Sequence, residues 1–146
     1  LSTLQQGKVY GTAAIKIYDE CCASFGWDRS QRGKFAQQRR LFAVAADADR
    51  KRNIWFICHS NWTKEHGKGG KINTIKDNRD TVEVKFIYPI AEPQACDLND
   101  TVVFAKRKDG FYEFLGVYKM TGITPGRMET RNQIETYKRI GSVWPI

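Results

Sequence analysis

Two histidines, two methionines, four cysteines and four prolines in 146 residues leave little material for several kinds of chemistry. Cys21, Cys22, Cys58 and Cys96 show no CxxC spacing, which argues against a zinc cluster and against a thioredoxin-type redox site. Free, mostly buried thiols in a reducing cytoplasm are the expectation instead. No apolar run approaches the roughly 20 residues that cross a bilayer. The opening LSTLQQGKVYG has neither the charged start nor the apolar stretch of a secretory signal. The expected location is therefore cytoplasmic, and the start on Leu1 rather than Met points to a piece cut from something longer.

Catalytic signatures are missing too. There is no GxSxG, no HExxH and no Walker-type loop, and GKGGK at 67–71 lacks a strand-loop-helix setting. His59 and His66 stand seven apart with no paired carboxylate or nucleophile nearby in sequence. Asp97 and Asp100 form a lone DxxD, a spacing commoner in loop capping than in Mg2+ sites. The reading is accordingly non-enzymatic, with no catalytic residue, no metal and no cofactor assigned. A small nuclease using His59 or His66 is the enzymatic alternative.

Acid is the other shortage. Lys and Arg number 24 against 16 Asp and Glu, a net charge of +8 and an isoelectric point near 9.4. Such a balance suits an anionic partner, either nucleic acid or a membrane surface. Membrane docking asks for a helix with basic residues flanking an exposed apolar face. The one clear helical pattern, residues 12–27, instead mixes Lys16, Asp19 and Glu20 opposite a stripe of Ala14, Ile17, Cys21 and Phe25, widened by Tyr18 and Cys22. Nucleic acid is the better partner. Thr12 is placed to cap this helix and Gly26 to end it.

The remainder reads as strands. Residues 41–46 and 53–58 suit a hairpin across DADRKR, and residues 82–88 alternate Val82, Val84, Phe86 and Tyr88 against Glu83, Lys85 and Ile87. Residues 101–123 form a hairpin centred on Asp109-Gly110. A two-residue turn there sets Lys108 against Phe111, Arg107 against Tyr112, Lys106 against Glu113, Ala105 against Phe114 and Phe104 against Leu115. Both faces are apolar away from the turn, so one lines a core and the helix covers the other. Gly116 in mid-strand marks a bulge or a sharp bend of the kind a closing barrel needs. Residues 134–140 supply a last strand. A single domain over 1–146 is expected, α+β in class and β-rich, a small partly open β-barrel with one packed N-terminal helix.

Three segments carry the binding expectation. RSQRGKFAQQRR contains Arg29, Arg32, Lys34, Arg39 and Arg40 without any acid, and Phe35, Gln37 and Gln38 add stacking and hydrogen-bonding capacity. A second basic segment, 63–80, reads as a long loop with Lys64, His66, Lys68, Lys71, Lys76 and Arg79 among glycines. At its base stand His59, Ser60, Asn61 and Trp62. Asn61 offers a donor and an acceptor to a base edge, and Trp62 or His59 can stack on a base face. Loop capping for His59 and Asn61, and a lid on the core for Trp62, are the alternatives. The expected phosphate contacts are Arg29, Arg32, Lys34, Arg39, Arg40, Lys64, Lys68 and Lys71.

KRKDGFYEFLGVYKM at 106–120, followed by ETYKRI at 135–140, resembles the late strands of the PUA-like superfamily. The similarity is greatest to SRA-type modules that accompany HNH nucleases in modification-dependent restriction systems. Asp109, Gly110, Phe111 and Tyr112 match a Tyr-Asp-Gly turn followed by an apolar residue and a Tyr, with Lys108 in place of the first Tyr. The resemblance covers the last third of the chain and extends faintly to WFICHSNW. It implies a crossed, partly open barrel that binds duplex DNA and holds a flipped, modified base such as a modified cytosine, with any cutting left to a fused or partner nuclease. None of the family's pocket residues is carried over; His59, Ser60, Asn61 and Trp62 come from their own chemistry. An RNA-binding PUA-like or ASCH-like domain is the nucleic-acid alternative.

Overall fold

Nine strands and one helix make up the regular structure of the described residues of the computed structural model, which are 2–26, 42–45, 51–58, 71–86, 100–124 and 134–145. In chain order they are β1 (Leu4–Gln5), α1 (Ala14–Phe25), β2 (Phe42–Ala45), β3 (Lys51–Cys58), β4 (Lys71–Lys76), β5 (Thr81–Phe86), β6 (Asp100–Lys106), β7 (Tyr112–Thr124), β8 (Ile134–Gly141) and β9 (Val143–Trp144). Hydrogen bonding orders the main sheet β2-β3-β6-β7-β8-β5-β4, and β1 pairs with β9 separately. The class is the expected one: β-rich α+β, a sheet of the partly open barrel kind with a single helix. By chain contacts there are two compact units, Leu1–Ile57 with Asn99–Tyr118 and Ile140–Ile146, and Cys58–Leu98 with Lys119–Arg139.

The first unit is organised by α1 and the β6–β7 hairpin. The three-and-four spacing places Ile17, Tyr18, Cys21 and Cys22 in the core, and Ala14 and Phe25 pack against its margin. The helix is two residues shorter than expected at each end. Ala13, not Thr12, holds the N-cap position, and no side chain bonds there. Gly26 ends the helix at φ 68°, donating its N–H to the Cys22 carbonyl at 3.0 Å. Packing, rather than capping, sets where this helix starts.

Thr101 through Ala105 of β6 are buried consecutively, as are Glu113 through Tyr118 of β7. Unbroken burial requires cover on both faces of the hairpin, as the apolar pattern demanded. On one face Phe104 stacks on Phe56 of β3 at 5.2 Å and lies 5.5 Å from Phe114, and Tyr112 meets Phe56 edge-on.

The turn differs from expectation. Arg107 N–H donates to the Phe111 carbonyl at 2.8 Å and Gly110 N–H to the Arg107 carbonyl at 3.0 Å, enclosing three loop residues, Lys108, Asp109 and Gly110. A two-residue turn of the favoured kind needs positive φ at both central residues. Here Gly110 has φ 90° and Asp109 does not share it; the Asp109 side chain instead accepts the Phe111 N–H at 3.1 Å. Lys106 therefore faces Tyr112, Ala105 faces Glu113 and Phe104 faces Phe114, one place away from the expected partners. The expected bulge then restores the register: Leu115 is the extra residue, and Val103 faces Gly116, whose φ is 138°.

In the second unit, β4, β5, β8 and the end of β7 carry the sheet. The segment 63–80 is not a loop throughout. Residues 71–76 form β4, paired from Lys71↔Phe86 to Lys76↔Thr81 along β5, and residues 77–80 are the turn. The β-branched Ile72, Thr74 and Ile75 favour this strand, which the lysines at both ends disguise in sequence. Asp77, Asn78 and Arg79 all have positive φ, and the Asp80 N–H donates to the Asp77 carbonyl at 3.0 Å. The β2–β3, β5 and β8 assignments agree with expectation within two residues at each described end, while Ile87 and Tyr88 lie outside the described residues.

Replacing Phe104 by Ala should lower unfolding free energy by about 3–5 kcal/mol, the usual cost of an emptied core aromatic, as urea denaturation would measure. A loss under 1 kcal/mol would mean that the aromatic stack is not the centre of this core.

Candidate nucleic-acid interface

The second unit's sheet has one wet side. Across it, Lys76, Thr81 and Lys138 stand in register on β4, β5 and β8, Thr81 itself being buried, and Thr74, Glu83 and Thr136 form the next row. Lys85 lies one step further along β5 on the same side. On β7, Tyr118 and Met120 are buried while Lys119 and Thr121 are exposed, and the Thr121 hydroxyl donates to the Thr136 carbonyl at 3.4 Å. Lys76, Lys85, Lys119 and Lys138 thus come from four strands to one side of the sheet, against the carboxylates of Glu83 and Asp77 among the described residues.

Fixed partners hold part of this surface in place. Lys76 Nζ lies 2.7 Å from Glu83 Oε2, and that hydrogen bond, followed by the carboxylate's charge, raises the lysine above its ordinary pKa. Lys138 Nζ donates to Thr81 Oγ1 at 2.7 Å and sits 4.0 Å from Asp77. Arg139 is ion-paired to Asp80, whose backbone carbonyl also accepts the Arg139 N–H at 2.8 Å. These are solvent-exposed contacts that add little to stability. Their effect is positional: they spread cationic heads across strands about 5 Å apart.

The reverse side of the same strands is dry. Asn73, Val84 and Glu135 align across β4, β5 and β8, all buried, with Val82 and Tyr137 in the adjoining row. Tyr137 OH donates to Glu135 Oε1 at 3.4 Å, and Asn73 Oδ1 has no hydrogen-bond partner among the described residues.

A second basic cluster sits at the β6–β7 turn of the first unit. Arg107 and Lys108 are exposed and Lys106 half-buried, and Phe111 is 42% exposed beside them. Arg107 pairs with Asp109 at 3.0 Å. Residues 7–11 run along β7, with Gly7 and Tyr10 N–H donating to the Phe114 and Tyr112 carbonyls, and Lys8 and Gly11 carbonyls accepting from Phe114 and Tyr112.

The expected site residues have a different standing. Arg29, Arg32, Lys34, Arg39, Arg40, His59, Ser60, Asn61, Trp62, Lys64 and Lys68 lie outside the described residues. Lys71 is described only in its backbone, as the first residue of β4 rather than part of a loop. The lysine-bearing side of β4, β5, β7 and β8 was missed from sequence. Its signal was present strand by strand, in Glu83 and Lys85, in Lys119 and Thr121, and in Thr136 and Lys138 alternating with buried neighbours. Adjacency of those strands was not.

Metal and thiol chemistry find no footing in the described residues. No three His, Cys, Asp or Glu side chains are grouped there as a metal site requires. No described helix is long and apolar enough to cross a membrane. Cys21 and Cys22 are buried and unbridged. No protein-family model matches the chain, and no curated protein matches it significantly.

Burial first, then the neighbouring Cys22 and Glu20, pushes the Cys21 thiol from an ordinary 9.0 to about 12. The unfolded chain ionises this thiol near 9 and the folded chain does not. Its contribution to stability is therefore complete below pH 9 and is lost as pH rises toward 12. At pH 8, mass-mapped alkylation should leave Cys21 unmodified in the native protein and modify it in urea. Rapid native labelling would contradict the burial.

Proposed function

We propose that this chain is a non-catalytic DNA-binding module that takes duplex DNA and reads a modified base. The observation that carries the nucleic-acid part is the placement of Lys76, Lys85, Lys119 and Lys138 on one side of one sheet, with Glu83 and Asp77 as the acids beside them among the described residues. A solvated surface of mixed function intersperses its charges; a surplus of two cations on one sheet side favours a polyanion. The net charge of +8 supports the same reading. Threonines 74 and 136 among the lysines add hydroxyl donors of the kind that bond phosphate oxygens.

The base-reading part rests on the resemblance of 106–120 and 135–140 to the SRA-type modules, and on the chemistry of His59, Ser60, Asn61 and Trp62. Modified cytosine is the candidate base, and cleavage falls to a fused or partner nuclease. The basic strip with Arg29, Arg32, Lys34, Arg39 and Arg40 and the segment with Lys64, Lys68 and Lys71 extend the phosphate contacts.

Fluorescence anisotropy with duplexes carrying plain, methylated, hydroxymethylated or glucosylated cytosine tests both parts. Binding should weaken steeply between about 50 and 200 mM salt. The triple variant Lys85→Ala, Lys119→Ala, Lys138→Ala should flatten the slope of log affinity against log salt by about 0.9 for each phosphate no longer neutralised. Salt-independent binding, or preference for single-stranded RNA over every duplex, would overturn the DNA reading. Equal affinity for all four duplexes would remove the modified base alone. Duplex cleavage in the presence of Mg2+ would end the non-enzyme assignment.

A further inference from the structure

The lysine-bearing sheet side does not use the β6–β7 turn, which belongs to the first unit. We infer that this turn is a groove-reading tip: it enters the major groove of duplex DNA, sets Phe111 against the C5-methyl of a pyrimidine, and places Lys108 and Lys106 toward the flanking phosphates. The inference rests on the DNA-binding reading above and adds to it a direct contact with a base.

Exposure is the first argument. Phe111 is 42% exposed although the hairpin behind it, from Glu113 to Tyr118, is buried throughout. An aromatic at the solvent end of a buried hairpin contributes little to the core. Its chain neighbours carry Lys106, Arg107 and Lys108 against Asp109 and the buried Glu113, a surplus of one positive charge. Arg107 is already paired with Asp109, which leaves Lys108 as the other exposed cation of the turn.

Rigidity is the second. Two backbone hydrogen bonds close the turn at 2.8 and 3.0 Å, the Asp109 carboxylate receives the Phe111 N–H at 3.1 Å, and residues 7–11 brace β7 from the side. Tyr112 anchors the next position by its edge contact with Phe56, 5.5 Å between centroids. Phe111 is thus presented on a fixed backbone, which reduces the ordering cost of binding.

Dimensions and chemistry select the partner. The tip at 107–111 is two chains wide, with residues 7–11 a third chain beside β7 from Tyr112 inward, and with strands about 5 Å apart such a tip fits the mouth of a major groove about 12 Å wide. In that groove the pyrimidine C5 substituent is the apolar feature, and phenylalanine is one of the side chains that contacts it. One half-exposed ring offers much less apolar area than the helix face with which interfacial proteins enter lipid.

The test measures the full chain by anisotropy against an A·T-rich duplex and the same duplex with uracil for thymine, over a salt series. Removing the methyl should weaken wild type about fourfold, the worth of one buried methyl group. Phe111→Ala should bind the thymine duplex several-fold more weakly than wild type, with an unchanged salt slope and no discrimination between duplexes. Lys108→Ala should keep the discrimination and flatten the slope by about 0.9. Both positions are exposed, so unchanged melting temperatures verify the fold. If wild type binds with the expected salt dependence while Phe111→Ala behaves identically, the tip assignment is overturned and the DNA-binding reading stands. If wild type binds no duplex, both fall. Binding to phosphatidylserine vesicles that Phe111→Ala abolishes, with duplex affinity unaffected, would assign the tip to lipid and overturn the inference.

Discussion

Phe104 is the point on which the first unit turns. It stacks on Phe56, meets Phe114 from across the hairpin and receives the edge of Tyr10, so one ring joins β3, β6, β7 and the N-terminal segment. Aromatic contacts of this kind add to the area they bury, and their geometry admits few alternatives. The β6–β7 register follows from the same demand. With Phe104 opposite Phe114 at the inner end and a three-residue loop at the outer end, the chain needs one additional residue before Val103 can face Gly116. Leu115 is that residue.

A sheet with one dry and one wet side organises the second unit. Val82, Val84 and Tyr137 supply the apolar side, and Asn73 and Glu135 are buried among them. Burial of an amide and a carboxylate is costly unless they are hydrogen-bonded, and Tyr137 meets one oxygen of Glu135. The opposite side keeps charged heads in water, where they cost little to hold. On the proposed function, folding and binding draw on alternate residues of the same strands, so that a substitution at Lys85 or Lys119 bears on the proposed partner and one at Val84 or Met120 on the fold.

Much of the architecture was legible in the chain. The helical stripe from Ile17 to Cys22, the Gly26 stop, the hairpin across Asp109-Gly110, the bulge at Gly116 and the final strand each have a local signature. Three features misled. Thr12 is a good capping residue, but the core fixes the helix start at Ala14, beyond its reach. Asp-Gly suggests a two-residue turn, yet Asp109 keeps its φ negative and uses its side chain to bond the backbone and Arg107. Lysines and glycines around β4 look like loop composition, although Ile72 to Ile75 pair fully with β5. In each case a local preference competed with an interaction distant in sequence.

The sequence by itself determined the charge balance, the β-rich class, the single clear helix and the periodicity that gives β5, β8 and the end of β7 a dry and a wet side. Those properties depend on composition and on spacings of two, three and four residues, which are local quantities. Tertiary structure alone decided which wet residues are neighbours. Positions 76, 85, 119 and 138 are separated by up to 62 residues and gather only because β5 pairs with both β4 and β8 and β8 lies beside β7. Strand order depends on which buried surfaces fit one another, and no short stretch of chain contains that information.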